Sequence, residues 1–163
     1  MNGRRILIGL ATLATAGATT LAVTTATSGA EAAVARGDFV PFAVGADLPI
    51  SGHAQMVRTA DGKTIVTVHI EGLTPGTTYP VHVHAGDCAT NATGGSHYFF
   101  STAVPGGAGP ASNEIWPGPV TANGGGVADG KATVDATAGA TAASVVIHRP
   151  TAAPNKIACA DLS

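Results

Sequence analysis

The segment Tyr79-Pro80-Val81-His82-Val83-His84 places two histidines two residues apart. In an extended chain, residues i and i+2 leave the same face, roughly 6.7 Å apart at Cα. Val81 and Val83 then take the opposite face. Two imidazoles so spaced can grip one metal ion from a rigid base. They can equally be two unrelated polar side chains on a solvent face. Context adds two more histidines. His97 sits in Gly94-Gly95-Ser96-His97-Tyr98, and His148 ends the apolar run Ser144-Val145-Val146-Ile147-His148. Four of the six histidines thus fall at strand ends or in one long loop, and no Cys or Met is placed to join them. An all-imidazole set suits Cu(II), Zn or Ni, with copper favoured by the order of divalent affinities. His69 alternates away from Val66, Val68 and Ile70, and His53 opens a strand beside Gly52. Both read as solvated side chains.

The elements that must hold these residues are short. Apolar runs near Phe39–Val44, His53–Thr59, Thr64–Ile70, Tyr79–His84, Val120–Ala122, Ala132–Ala136, Ala143–His148 and Lys156–Ala160 predict strands. Asp61-Gly62, Pro75-Gly76 and Asn123-Gly124 are turn signals between them, and Asp61-Gly62 is the clearest hairpin. Strands at this spacing predict an all-β sandwich or barrel. The interval His84–Val120 is too rich in Gly, Pro, Ser and Asn for regular structure, and a loop that long is usually functional.

The chain has 163 residues, of which 45% are hydrophobic, 11% charged and 4% aromatic. So few charges exclude a solvated disordered chain. A formal net charge of −2 leaves no electrostatic footprint for nucleic acid. Arg4 and Arg5 precede an apolar, Thr-diluted run from Ile6 to about Ala26, followed by Ser28-Gly29-Ala30-Glu31-Ala32. This layout predicts a secretory signal cleaved after Ala32. The alternative is an uncleaved anchor, and Arg4-Arg5 also leaves twin-arginine export open. Residues 33–163 would form one domain, with a net charge of −3 once Arg4, Arg5 and Glu31 are gone. In an exported chain the pair Cys88 and Cys159 is most simply one disulfide, with a thiolate metal pair as the alternative. Asn91-Ala92-Thr93 is a glycosylation sequon, meaningful only in a eukaryotic secretory pathway.

Over about residues 40–163 the sequence resembles the copper/zinc superoxide dismutases. The resemblance rests on Gly72-Leu73-Thr74-Pro75-Gly76 followed by Val81-His82-Val83-His84, and on Gly95-Ser96-His97-Tyr98. It continues through Val120-Thr121-Ala122 with Gly126-Val127-Ala128-Asp129, Val145-Val146-Ile147-His148 and Lys156-Ile157-Ala158-Cys159. It implies an eight-stranded Greek-key β-barrel, a copper ion on His82, His84, His97 and His148, and a Cys88–Cys159 disulfide. The family's loop histidine leaves copper on reduction and takes up a proton, a role that falls to His97.

The departures are specific. Zinc-containing members carry two further histidines and an aspartate between the loop histidine and the Val-Thr-Ala strand. Here no histidine lies between His97 and His148, and Asn113-Glu114-Ile115-Trp116-Pro117 stands where the last two zinc ligands belong. Structural zinc is therefore expected to be absent, and the pattern is similar to the copper-only branch. Without zinc, His97 needs another partner on its second ring nitrogen. Glu114 is the first candidate and Asp87 the second. The family's arginine before the final Ala-Cys is Lys156, and only seven residues separate it from His148. Lys156, or Arg149, would supply the positive charge that draws the anion. Trp116 would pack the shortened loop. The resemblance implies a secreted copper-dependent dismutase converting superoxide to oxygen and hydrogen peroxide. A non-catalytic, extracytoplasmic copper-binding module and a structural surface domain are the competing readings.

Overall fold

A computed structural model describes residues 33–90, 93–101, 113–151 and 155–163. The expected signal segment and the sequon asparagine lie outside the described residues. Ten strands occur among the described residues: β1 Ala33–Asp38, β2 Val40–Pro41, β3 Ser51–Arg58, β4 Thr64–Glu71, β5 Thr78–Tyr79, β6 Val81–His84, β7 Val120–Thr121, β8 Ala128–Val134, β9 Ser144–His148 and β10 Lys156–Asp161. They form two four-stranded antiparallel sheets, β1-β3-β4-β8 and β2-β10-β9-β6, and a small β5-β7 pair. No helix among the described residues is long and apolar enough to cross a membrane.

Alternation decides which faces meet. Ala54, Met56, Val66, Val68 and Ile70 of the first sheet share one buried core with Val81, Val83, Val145, Ile147 and Ile157 of the second. That arrangement is compatible with a β-sandwich, and the sheets do not close on themselves into a barrel. The Asp61-Gly62 hairpin joins β3 to β4 in full register from Arg58↔Thr64 to Ser51↔Glu71.

Three predicted strands differ most in extent, and one strand is new. Tyr79–His84 is broken at Pro80, which has no N–H for a ladder. Tyr79 pairs with β7 while Val81–His84 pairs with β9. The Pro80 carbonyl instead accepts from His148 N at 2.9 Å. Phe39–Val44 shortens to Val40–Pro41 followed by a 3-10 turn, Ala43–Gly45. β8 starts four residues before the predicted Ala132 and stops at Val134. β1 was not expected at all. It is a half-exposed edge strand whose Ala-Val-Ala-Arg-Gly-Asp sequence has little apolar contrast.

Candidate metal centre

The centre is built on the outer face of the second sheet. Val81 and Val83 point into the core, so His82 and His84 point out, beside Val146 and Ser144 of β9. His148 lies two residues beyond Val146 on that same face. The open edge of β6 is covered by chain: Val83 N donates to Ile115 O at 3.0 Å, Gly118 N to Val81 O at 3.1 Å, and Tyr98 N to Val83 O at 3.0 Å. The last of these lays His97 beside His84. The intervening loop presses flat against the sheet at Gly94, where φ is +74° and a Cβ would stand 2.8 Å from Val146 Cγ2. Glycine is needed there on both counts. The Cys88–Cys159 disulfide ties the loop to β10, and Cys88 N donates to Asp161 Oδ1 at 2.6 Å.

One ring nitrogen from each of His82, His84, His97 and His148 lies within 4.8 Å of all the others. His82, His84 and His148 are buried, while the His97 side chain is 33% exposed. The chain fixes the tautomers. His84 Nδ1 faces the Gly95 carbonyl at 3.0 Å, His97 Nδ1 the Glu114 carboxylate at 2.9 Å, and His148 Nδ1 the Asn155 Oδ1 at 3.2 Å. Each of these oxygens accepts, so each Nδ1 carries the hydrogen and each Nε2 keeps its lone pair. His82 Nδ1 is buried with no hydrogen-bond partner. The nitrogens this leaves without a hydrogen-bonding oxygen are His82 Nδ1 and Nε2 of His84, His97 and His148, and two of them, His84 Nε2 and His148 Nε2, approach each other.

Electrostatics keeps His82, His84 and His148 unprotonated. Burial first, then the neighbouring His148, His97, His84 and Lys156, push His82 down to about 2. Burial, then Lys156, His97 and His148, push His84 down to about 3, against the opposing Gly95 hydrogen bond. Burial pushes His148 down to about 4, against the opposing Asn155 hydrogen bond. His84 Nε2 and His148 Nε2 face each other at 3.3 Å, two lone pairs with no proton between them. Two nitrogens bound to one ion at about 2.0–2.1 Å stand at about this separation. The buried four-histidine group can therefore hold a metal ion, and its donor set is that of a transition metal.

Glu114 is buried and also accepts from Trp116 Nε1, through the same Oε2, at 2.7 Å. The Trp116 ring packs 4.5 Å, centroid to centroid, from His82. Lys156 Nζ donates to the Gly95 carbonyl that His84 also uses. Its pKa is lowered by burial. Two predicted candidates lie elsewhere. Asp87 accepts from Thr90 N and Oγ1. Arg149 is bound to Asp47 and to the Val44 carbonyl. Cys88, Cys159 and Asp161 also cluster, but the two sulfurs are joined to each other. Sequence reasoning missed Asn155 and the Gly95 carbonyl, neither of which carries a signal in residue type. No protein-family model matches the chain, and no curated protein matches it.

Proposed function

We propose that the chain is an exported copper protein of the superoxide dismutase type, with a Greek-key arrangement of its strands. Copper would be held by His82 Nδ1 and by Nε2 of His84, His97 and His148. The observation that carries this reading is the 3.3 Å approach of two lone-pair nitrogens, His84 Nε2 and His148 Nε2, in a buried pocket that disfavours protons. Imidazole-only ligation favours copper among the divalent ions. The disulfide supports an oxidising compartment.

When bound, copper supplies the one-electron chemistry that turns superoxide into oxygen and hydrogen peroxide. The chain's own residues supply orientation, protons and charge. Glu114 holds His97 by Nδ1–H, leaving Nε2 as the nitrogen that takes and gives a proton. His97 is the member of the set that solvent reaches most easily, which suits that task. The Lys156 ammonium beside His84 offsets the net negative charge of the chain for an approaching anion. Glu114 stands in the position where zinc-containing relatives would anchor the loop histidine, and no zinc is expected there.

A second reading, copper binding without turnover, is favoured by one observation: the Lys156 ammonium is committed to the Gly95 carbonyl. Copper-loaded protein mixed with radiolytically generated superoxide separates the two. Turnover predicts decay first order in protein, lost in His148→Ala and slowed by Lys156→Glu at low salt. Copper-loaded protein that leaves the spontaneous decay unchanged overturns the catalytic reading and supports the binding one.

A further inference from the structure

The second pair of histidines sits on the other sheet, on its outward face. Asp38, His53, His69 and Asp129 form one row across β1, β3, β4 and β8, each directly opposite the next. Residues so registered share a face and their side chains meet. The core uses the alternate positions, among them Ala54, Val68 and Ile70, so this row faces solvent. Glu71, two residues after His69, joins the row from the same face.

We propose that His53, His69 and Glu71 form a surface site for a divalent transition-metal ion, with Asp129 as the residue that orients His69. The inference is independent of the copper centre. His69 Nδ1 and Asp129 Oδ1 are 2.8 Å apart, the outer hydrogen bond that metal-bound histidines usually make. His69 Nε2 and Glu71 Oε1 are 3.2 Å apart, close to the 3.3 Å between the paired nitrogens of the buried centre. The His53 and His69 rings have centroids 5.8 Å apart. Within the buried centre the same measure runs from 3.9 to 6.0 Å. The half-exposed His53 ring, as placed, does not bring its nitrogen to the other two donors, so binding requires it to turn toward them. Two imidazoles and one carboxylate is a donor set that Zn(II), Cu(II) and Ni(II) accept.

A proton competes for the same place. The hydrogen bond to Asp129, then that to Glu71, raises the His69 pKa. An ion entering between His69 Nε2 and Glu71 displaces the proton held there, so uptake strengthens as pH rises. The charged groups facing the site are Asp38 and Asp129 in the row and Glu71 beside it. Arg36 and Lys131 stand at the ends of the neighbouring row, opposite Gln55 and Thr67.

Immobilised Ni(II) tests the proposal, because a resin-bound ion reaches surface imidazoles and not buried ones. Untagged protein should be retained at pH 8 and released near pH 6. His53→Ala and His69→Ala should flow through, and His97→Ala should be retained. Titration with Zn(II) should show at least about tenfold weaker surface binding in either variant, the lower end of the cost of disturbing even a ligand's outer partner. Glu71→Gln keeps the size of the side chain and should weaken binding in the same direction, which covers a histidine variant that fails to fold. Wild-type protein that flows through overturns the site, as does retention lost in His97→Ala but kept in His53→Ala.

Discussion

Glu114 Oε2 receives two hydrogen bonds at once, 2.9 Å from His97 Nδ1 and 2.7 Å from Trp116 Nε1. One buried oxygen thus locks the most exposed histidine of the centre and the aromatic ring that packs against a buried one, His82. Replacing Glu114 by Gln should lower copper affinity about 10–100-fold, the range for loss of an outer hydrogen-bond partner. Glu114→Ala should also lower stability by about 1–3 kcal/mol, because buried donors lose their acceptor. Chelator competition and thermal melting of the apo protein read the two effects separately. Unchanged copper affinity in both variants would remove Glu114 from the site.

Trp116 is the chain's one tryptophan, and its ring lies 4.5 Å from that of His82. Its emission should therefore be quenched as Cu(II) fills the centre and should recover on chelation. Fluorescence titration gives the stoichiometry directly. Quenching should saturate at one equivalent and be abolished in His84→Ala. Emission that ignores Cu(II) while the metal is bound would mean that copper sits elsewhere.

Acid should destabilise the apo protein earlier than ordinary carboxylate titration would. His82, His84 and His148 are held down to about 2, 3 and 4, against an ordinary value of 6.5. The unfolded chain therefore binds protons that the folded chain refuses. Stability is fully present above pH 6.5 and is lost as pH falls toward 4 and below. Melting temperatures of apo protein should fall across this window, and a His148→Gln variant should lose less. Equal slopes in the two proteins would contradict the assignment.

Reduction of Cys88–Cys159 should loosen the loop that carries His97. The bridge spans 71 residues, and closing a loop of that size is worth about 4 kcal/mol in the chain-entropy model. Reduced apo protein should melt lower and bind copper more weakly than oxidised protein. A reduced form with unchanged copper affinity would show that the glycine contacts alone position the loop.

The sequence made the four clustered histidines visible because histidine is informative in itself and a strand has period two. His82 and His84 announced a shared face, and the mouth of an apolar run marked His148. Hidden were features that residue type does not encode. The register shift between Lys156 and Ala158 is one: this bulge lets Lys156 stand opposite His148 and Cys159 opposite Val146 on the same outer face. Three residues apart in an unbroken strand, those two side chains would have pointed in opposite directions. The break at Pro80 was legible in principle, since proline seldom sits inside a ladder, but apolar content outweighed it. His69 was read correctly as facing outward. Its partner Glu71 follows from the same period of two, whereas Asp129 needed the β4–β8 pairing, which no local pattern supplies.

β6 serves two purposes with four residues, since Val81 and Val83 fill the core while His82 and His84 supply the donors. A graft or library that varies only positions 82 and 84 is therefore insulated from the sandwich interior, and the scaffold can be rewired for other ions without repacking. Frame is the vulnerability. Inserting or deleting one residue between Pro80 and His84 would trade valine for imidazole on both sides of the sheet, so a single codon separates a working centre from a chain with neither core nor ligands.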